Sequence, residues 1–142
     1  MSNILEVKFS AKSENESLSR VIVAYFAAKL DPTLDELSDI KMAVSEAVTN
    51  SIVHGYEEDE SKFVYLRCEL EDRMIKVVIE DRGKGIEDIK QAMQPMYTSK
   101  PELDRAGMGF SFMESFMDTL EVVSIKGEGT KVVMTKTIEL PK

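Results

Sequence analysis

The sequence EDRGKG, at residues 80–85, decides how the rest of the chain is interpreted. It follows the alternating segment RMIKVVIED, in which Ile75, Val77 and Ile79 share one face of a strand. Asp81 continues that face, because side chains two residues apart in a strand point the same way. A carboxylate at the end of a buried face is costly unless hydrogen-bond donors surround it. This pattern indicates a recognition site for a group that carries a donor.

Two glycines follow the acid directly. Gly83 and Gly85 lack the side chains that would keep a ligand away from the backbone. An acid beside an accessible backbone suits a flat group with a hydrogen-bond donor. A hairpin turn is the alternative interpretation, because turns also use this pattern.

Length and composition limit the possible classes. The 142 residues, 43% hydrophobic and 31% charged, predict one globular domain over residues 1–142. The net charge of −8 argues against nucleic acid as a partner. The single cysteine, Cys68, is expected in the core and suits a cytoplasmic protein. The longest apolar run, VIVAYFAA, is too short to span a membrane.

The chain in order predicts β-α-α-β-β, an irregular segment, and α-β-β. The first helix is expected from Ser13 to about Leu30, and the second from Thr33 to about Gly55. Residues 86–107 show no clear periodicity, which is typical of a lid over a site. The expected fold class is an α+β two-layer sandwich, with three helices on one face of a mainly antiparallel sheet.

The first helix has a candidate apolar stripe. The stripe is expected to face the core and consists of Leu18, Val21, Ile22, Tyr25 and Phe26. Arg20 lies off it, as a solvated side chain or a contact for a partner.

The second helix carries polar residues beside its core face. Glu46 and Asn50 stand one turn apart on the same side. They are either a solvated edge or a functional pair, with an amide oxygen for Mg²⁺ at Asn50 and a general base at Glu46. His54, the only histidine, is a helix-end residue, a phosphoacceptor or a metal ligand.

Further glycines precede the third helix and the last strand. Gly107 and Gly109 lie where free N–H groups and the helix dipole favour phosphate, and Arg105 would reach a terminal phosphate. A simple glycine start to the helix is the alternative. In the final hairpin, Thr130 is expected beside Asp81 on the inner face, or is an ordinary turn threonine. The P-loop and GxGxxG patterns are absent.

These motifs occur together as EAVTN on a helix, EDRGKG after a strand, AGMG before a helix and GEGT before the last strand. The combination resembles the Bergerat-type ATP-binding fold of gyrase, the 90-kilodalton heat-shock chaperone, histidine kinases and MutL. With the context SEAVTNSIVHGY and the short chain, it is most similar to the anti-sigma F factors of spore-forming bacilli, which are serine protein kinases.

The resemblance implies roles for the nucleotide-binding residues. Asp81 would accept a hydrogen bond from the adenine amino group of ATP or ADP, assisted by Thr130. Gly83 and Gly85 would let adenine lie close to the backbone. Asn50 would be the Mg²⁺ ligand.

The resemblance also implies the catalytic roles and the partners. Glu46 would be the base near the attacking hydroxyl, and Arg105 would contact the γ-phosphate. Thr98, Gly107 and Gly109 would contact nucleotide within or beside the lid. The implied partners are a sigma factor of the sigma-F type, an anti-anti-sigma factor phosphorylated on serine, and a second copy of the chain in a homodimer.

Two other functions compete with the kinase. One is an ATP-gated clamp that sequesters a sigma factor without phosphotransfer, which would need Asn50 and Asp81 but not Glu46. The other is the catalytic domain of a histidine kinase, which the sequence disfavours because no dimerisation helix pair precedes it.

Overall fold

The computed structural model describes residues 2–87 and 109–140. Within these ranges the elements are β1 Asn3–Ser10, α1 Ser13–Ala27, α2 Leu34–Thr49, β2 Phe63–Glu71, β3 Met74–Asp81, α3 Phe110–Phe116, β4 Thr119–Ile125 and β5 Gly129–Thr137. A 3₁₀ turn at Ala28–Leu30 extends α1, and a π-helix at Asn50–Gly55 extends α2. No helix in the described part of the chain is both long and apolar enough to cross a membrane. The predicted order of elements is confirmed, and most of the predicted lid lies outside the described residues.

The strands form one antiparallel sheet in the order β1-β2-β3-β5-β4. The central strand β3 alternates as predicted: Ile75, Val77 and Ile79 are fully buried against the helices. Its neighbour β2 buries Cys68 on the same face, and burial raises the pKa of that thiol to about 12. The α+β sandwich is therefore confirmed, with its core between the sheet and the helical layer.

Helix α2 begins at a complete capping box. The side chain of Thr33 accepts the backbone N–H of Glu36 at 3.1 Å, and the Glu36 carboxylate accepts the Thr33 N–H at 2.9 Å. The latter bond is the largest cause of a lowered pKa at Glu36. Both bonds satisfy donors that the first helical turn leaves without partners. The buried side chains of α2 are Ile40, Ala43, Val44, Ala47 and Val48.

The predicted core stripe of α1 is wrong for three of its five residues. Leu18, Val21 and Tyr25 are exposed by 49%, 63% and 78% of their surface. Helix α1 instead buries Ser19, Val23, Phe26 and Ala27. Small residues on this face let α1 pack closely on the helical layer, and the Ser19 hydroxyl is satisfied by donating to the Glu16 carbonyl at 2.6 Å.

The π-helix at the end of α2 changes which side chains are buried there. Its wider turn is seen in the backbone bond from Tyr56 N–H to the Ser51 carbonyl, five residues earlier, at 2.9 Å. As a result Asn50 and Ser51 are both buried, at 8% and 3% exposure. A regular helix would place neighbouring residues about 100° apart. The extra width therefore brings two polar side chains to the end of β3.

Candidate functional site

Asp81 is a buried carboxylate at the end of β3, with 4% of its surface exposed. Thr130 lies opposite it in β5, as predicted. One carboxylate oxygen, Oδ1, accepts the Gly83 N–H at 2.9 Å. Burial raises the pKa of Asp81, while hydrogen bonds from the Gly83 N–H, the Ser51 hydroxyl and the Thr130 N–H partly offset that effect. The acid is thus held by protein donors in a site with little access to water.

The two glycines after Asp81 let backbone segments of the protein itself approach each other. A Cβ at Gly83 would lie 2.1 Å from the Gly55 carbonyl oxygen, at the end of the π-helix. A Cβ at Gly85, where φ is +75°, would lie 2.2 Å from the Ile125 carbonyl oxygen. The structure therefore gives both glycines a packing role, which exists independently of any ligand that the site binds.

Glu46 and Asn50 lie on α2 and at the start of the π-helix, one turn apart. The Asn50 N–H donates to the Glu46 carbonyl oxygen, which continues the helix through both residues. Glu46 is half-buried, and burial, followed by the negative charge of Glu16, raises its pKa. A raised pKa makes the ionised carboxylate a stronger base, which is the property that a general base requires.

Helix α1 supplies charged neighbours to this part of α2. The Ser45 hydroxyl donates to the Glu16 carboxylate. Glu16 also pairs with the Arg20 Nε at 3.2 Å, and Arg20 donates to the Ser17 hydroxyl at 3.2 Å. Arg20 is thus engaged within α1, and its contact with a partner stays a prediction.

A narrow cavity of about 10 Å³ lies between the π-helix and the buried acid at the end of β3. Its lining includes Asn50, Ser51, His54, Asp81, Phe110 and Thr130. Two wider hollows, of about 680 Å³ on the open face of the sheet and about 740 Å³ beside the start of α2, lie away from the buried acid. A third, of about 320 Å³, reaches Asp81 and Thr130 but none of the polar residues of the π-helix. We place the site at the narrow cavity, because the chemically distinctive side chains converge there.

A divalent cation fits the donors present at this cavity. Among the described residues no group of three or more His, Cys, Asp and Glu side chains forms a metal site. Asn50 offers an amide oxygen at the cavity wall, and Mg²⁺ is often held by one or two protein ligands with water and substrate phosphates. The residues therefore fit a cation that arrives together with a phosphorylated ligand.

The structure brings together most of the predicted site residues that it describes. Asp81, Gly85, Thr130 and Asn50 line the cavity, and Gly83 donates to Asp81. Gly109 lies directly before α3 and beside the Glu46 carboxylate, and neither residue lines the cavity. The predicted residues Thr98, Arg105 and Gly107 lie outside the described residues.

Sequence reasoning missed Ser51 and Tyr56. Ser51 donates to Asp81, and the Tyr56 hydroxyl accepts the backbone N–H of Arg82, the next residue. Both belong to the π-helix or its end, where a regular helical period assigns the wrong direction to side chains. The signal available in the sequence was the polar residue Ser51 directly after Asn50, near the end of the predicted second helix.

Comparison with known proteins gives one consistent family. Residues 9–136 match the family described as the histidine kinase-like ATPase domain. A protein named anti-sigma F factor from Clostridium perfringens is 57% identical over 136 residues, covering 96% of this chain and 97% of that protein. The anti-sigma F factor of Clostridium acetobutylicum is 56% identical over 140 residues, covering 99% and 97%.

Solved structures share the fold at low sequence identity. The RsbU and RsbW domains of a Mycobacterium tuberculosis protein superpose with a TM-score of 0.69 at 18% identity, over 96% of this chain and 32% of that one. The catalytic domain of the histidine kinase ThkA superposes with a TM-score of 0.59 at 11% identity, over 96% of both chains. These two likenesses concern the fold alone.

Proposed function

Because this chain belongs to the anti-sigma F factors, within the histidine kinase-like ATPase domains, we propose that it is an ATP-dependent serine kinase that acts on a protein. Its substrate is a serine of an anti-anti-sigma factor. With nucleotide bound, it also binds and inhibits a sigma factor of the sigma-F type, which controls transcription during sporulation. Both activities belong to a cytoplasmic homodimer.

The observation that carries the nucleotide site is the buried carboxylate of Asp81. It lies opposite Thr130 and is 4% exposed. In this proposal Asp81 accepts a hydrogen bond from the adenine amino group, and Thr130 assists. A buried acceptor discriminates between bases, because a ring without a matching donor leaves the acceptor site that the three protein donors do not fill without a hydrogen bond.

Adenine needs more room than the cavity of about 10 Å³, which suits roughly one water molecule. Ile86 and Phe110 line this cavity and are the lining residues closest in sequence to residues 88–108. We expect these two side chains to move apart when nucleotide enters. Gly83 and Gly85 then allow the ring to lie against the backbone of their loop.

Asn50 is the proposed protein ligand for Mg²⁺. The ion, when bound with ATP, neutralises charge that develops on the phosphates during transfer. The chain's own contribution is to hold one amide oxygen at the buried wall of the cavity, where Asn50 is 8% exposed. Thr98, Gly107 and Gly109 are proposed nucleotide contacts, and Arg105 is the proposed γ-phosphate contact. For Thr98, Arg105 and Gly107 the support is the family resemblance.

Glu46 is the proposed general base. It takes the proton from the partner's serine hydroxyl as that oxygen bonds to the γ-phosphorus of ATP. The bond from the γ-phosphorus to the bridging oxygen breaks, and ADP leaves with the electron pair. The raised pKa of Glu46 supports this role, since a base works best when its pKa approaches the working pH.

An exposed apolar stripe on α1 supports a protein partner. Leu18, Val21 and Tyr25 stand three and four residues apart, so they share one side of the helix, and each exposes about half of its surface or more. Contiguous exposed apolar surface of this kind often marks a protein contact site. Arg20 and Glu16 lie on the same helix and add charge to the surroundings.

The experiment that tests the kinase is incubation with ATP labelled at the γ-phosphate and a candidate anti-anti-sigma protein. We expect label on a serine of that protein, detected by mass spectrometry. The matched control is the same protein with that serine replaced by alanine, which should stay unlabelled. If the protein binds ATP and the sigma factor but transfers no phosphate to the anti-anti-sigma protein, it is instead an ATP-gated clamp.

A further inference from the structure

Gly109 has no side chain at the place where the Glu46 carboxylate lies. Its φ is +61°, a conformation that side chains disfavour. A Cβ built on Gly109 would lie 2.2 Å from Glu46 Oε2 and 3.1 Å from Glu46 Cδ. The Glu46 Cβ would be 3.6 Å away, which is an ordinary van der Waals contact. The conflict is therefore confined to the outer part of the glutamate side chain.

The backbone of Gly109 is fixed by α3. The Gly109 carbonyl oxygen accepts the Met113 N–H at 3.1 Å, which begins the helix. Phe110 and Met113 are 2% and 0% exposed, so α3 is anchored in the core. If a side chain were added at position 109, the group free to move would be the Glu46 carboxylate, because it is at the end of a flexible chain and half-buried.

We propose that Gly109 is a positioning residue for Glu46: its bare α-carbon forms the wall that holds the carboxylate in place for proton transfer. This inference rests on the proposed role of Glu46 as the base. It gives the start of α3 a function distinct from contact with phosphate. A base held against a wall samples fewer orientations, and a misplacement of about 1 Å can cost on the order of a hundredfold in rate.

The substitution Gly109→Ala separates the two functions of this position. Alanine keeps the backbone N–H that a phosphate would contact, but it displaces the Glu46 carboxylate. We expect kcat for phosphotransfer to fall by about tenfold to a hundredfold. The KM and the Kd for ATP should stay within about twofold, because the N–H donor remains. An ATP affinity weakened about tenfold or more with kcat unchanged would overturn the proposal.

Gly127 provides a matched control for backbone strain. Its φ is +83°, and a Cβ there would meet no atom within 4 Å. Gly127→Ala should therefore cost thermal stability through its conformation, as Gly109→Ala does, but should keep kcat close to that of the unsubstituted protein. Equal losses of kcat in the two variants would overturn the proposal.

Rescue by a shorter acid tests whether Gly109 acts through Glu46. Glu46→Asp keeps a carboxylate but removes one methylene group, which withdraws the atoms that conflict with a Cβ at position 109. In this background Gly109→Ala should lower kcat by less than about threefold, which indicates coupling between the two positions. An equal cost in both backgrounds would show that the two residues act independently.

Two further outcomes are informative. If Gly109→Ala does not fold, the addition of Glu46→Ala should restore the melting transition, and failure to restore it would refute the steric conflict. Full phosphotransfer by Glu46→Gln would refute the base itself, and with it the proposed mechanism. Suppose instead that Glu46→Gln is inactive, and that Gly109→Ala lowers kcat equally in the unsubstituted protein and in Glu46→Asp. Glu46 would then remain the base, and only the positioning role of Gly109 would be refuted.

Discussion

The phenol oxygen of Tyr56 accepts a hydrogen bond of 2.7 Å from the backbone N–H of Arg82, the residue that follows Asp81. The same hydroxyl donates to the Phe63 carbonyl oxygen at 2.5 Å. Burial is the main cause of a raised pKa at Tyr56, so the hydroxyl keeps the proton that it donates. One side chain thus joins the end of the π-helix, the start of β2 and the end of β3, which are the elements that hold the buried acid.

We predict that Tyr56→Phe lowers the free energy of unfolding by about 1–3 kcal/mol. Phenylalanine fills the same space but leaves the Arg82 N–H and the Phe63 carbonyl without this partner. The measurement is urea unfolding followed by circular dichroism.

Tyr25 is the matched control, because it is 78% exposed whereas Tyr56 is 7% exposed. Tyr25→Phe should change the free energy of unfolding by less than about 0.5 kcal/mol. Equal effects of the two substitutions would contradict the bridging role of Tyr56.

We predict that Cys68 makes stability fall at alkaline pH. Burial raises the pKa of its thiol to about 12, whereas an unfolded chain has a cysteine pKa of about 8.5. Above that lower value the folded state binds more protons than the unfolded state, so the free energy of unfolding falls as pH rises. The slope from this residue approaches about 1.4 kcal/mol per pH unit.

The check compares the unsubstituted protein with Cys68→Ala by urea unfolding between pH 8 and pH 10. Alanine also leaves a small cavity, but that cost does not depend on pH. The stability difference between the two proteins should therefore shrink with rising pH. A constant difference across the range would show that the thiol is not protected from ionisation.

The sequence was sufficient to predict the sheet and the second helix. Alternation along β3 placed Asp81 on the buried face, and the expected start of the second helix at Thr33 is confirmed by the N-cap of α2. These patterns are local, so they are visible without the tertiary fold. The strand patterns and the final hairpin left Thr130 either beside Asp81 or as an ordinary turn threonine, and the strand pairing selects the first.

The sequence was insufficient to predict features that depend on how the helices and strands pack against each other. Helix α1 carries more large apolar residues than one face can bury, and packing in the helical layer favoured the side that contains Ser19 and Ala27. The π-helix is invisible to a regular helical period, so Ser51 was missed. The close approach of Gly109 to Glu46 depends on the tertiary position of α3, which no spacing in the sequence specifies.

We predict that Asp81→Asn abolishes measurable ATP binding while the protein stays folded. The substitution replaces part of the acceptor at the adenine edge with an NH₂ donor, which faces the donors of Gly83, Ser51 and Thr130. The expected loss of affinity is at least about a hundredfold. Isothermal titration calorimetry measures it directly.

Glu80→Gln is the matched control, because Glu80 precedes Asp81 but is exposed on the opposite face of β3. This variant should bind ATP as the unsubstituted protein does. Normal ATP affinity in Asp81→Asn would refute the adenine assignment, provided that circular dichroism shows the variant to be folded.

We predict that Glu46→Gln keeps ATP binding but lowers phosphotransfer by about 10²–10⁴-fold. Glutamine has nearly the same shape and cannot accept the serine proton as a base.

The raised pKa of Glu46 also predicts that activity in the unsubstituted protein falls as pH drops, because protonation removes the base at a higher pH than for an ordinary glutamate. The measurement is the rate of label transfer as a function of pH, with Glu121→Gln, an exposed residue of β4, as the control. A Glu46→Gln variant with an unchanged rate would require a different base, whereas tight ATP binding without transfer would support the proposed division between Glu46 and the nucleotide-binding residues.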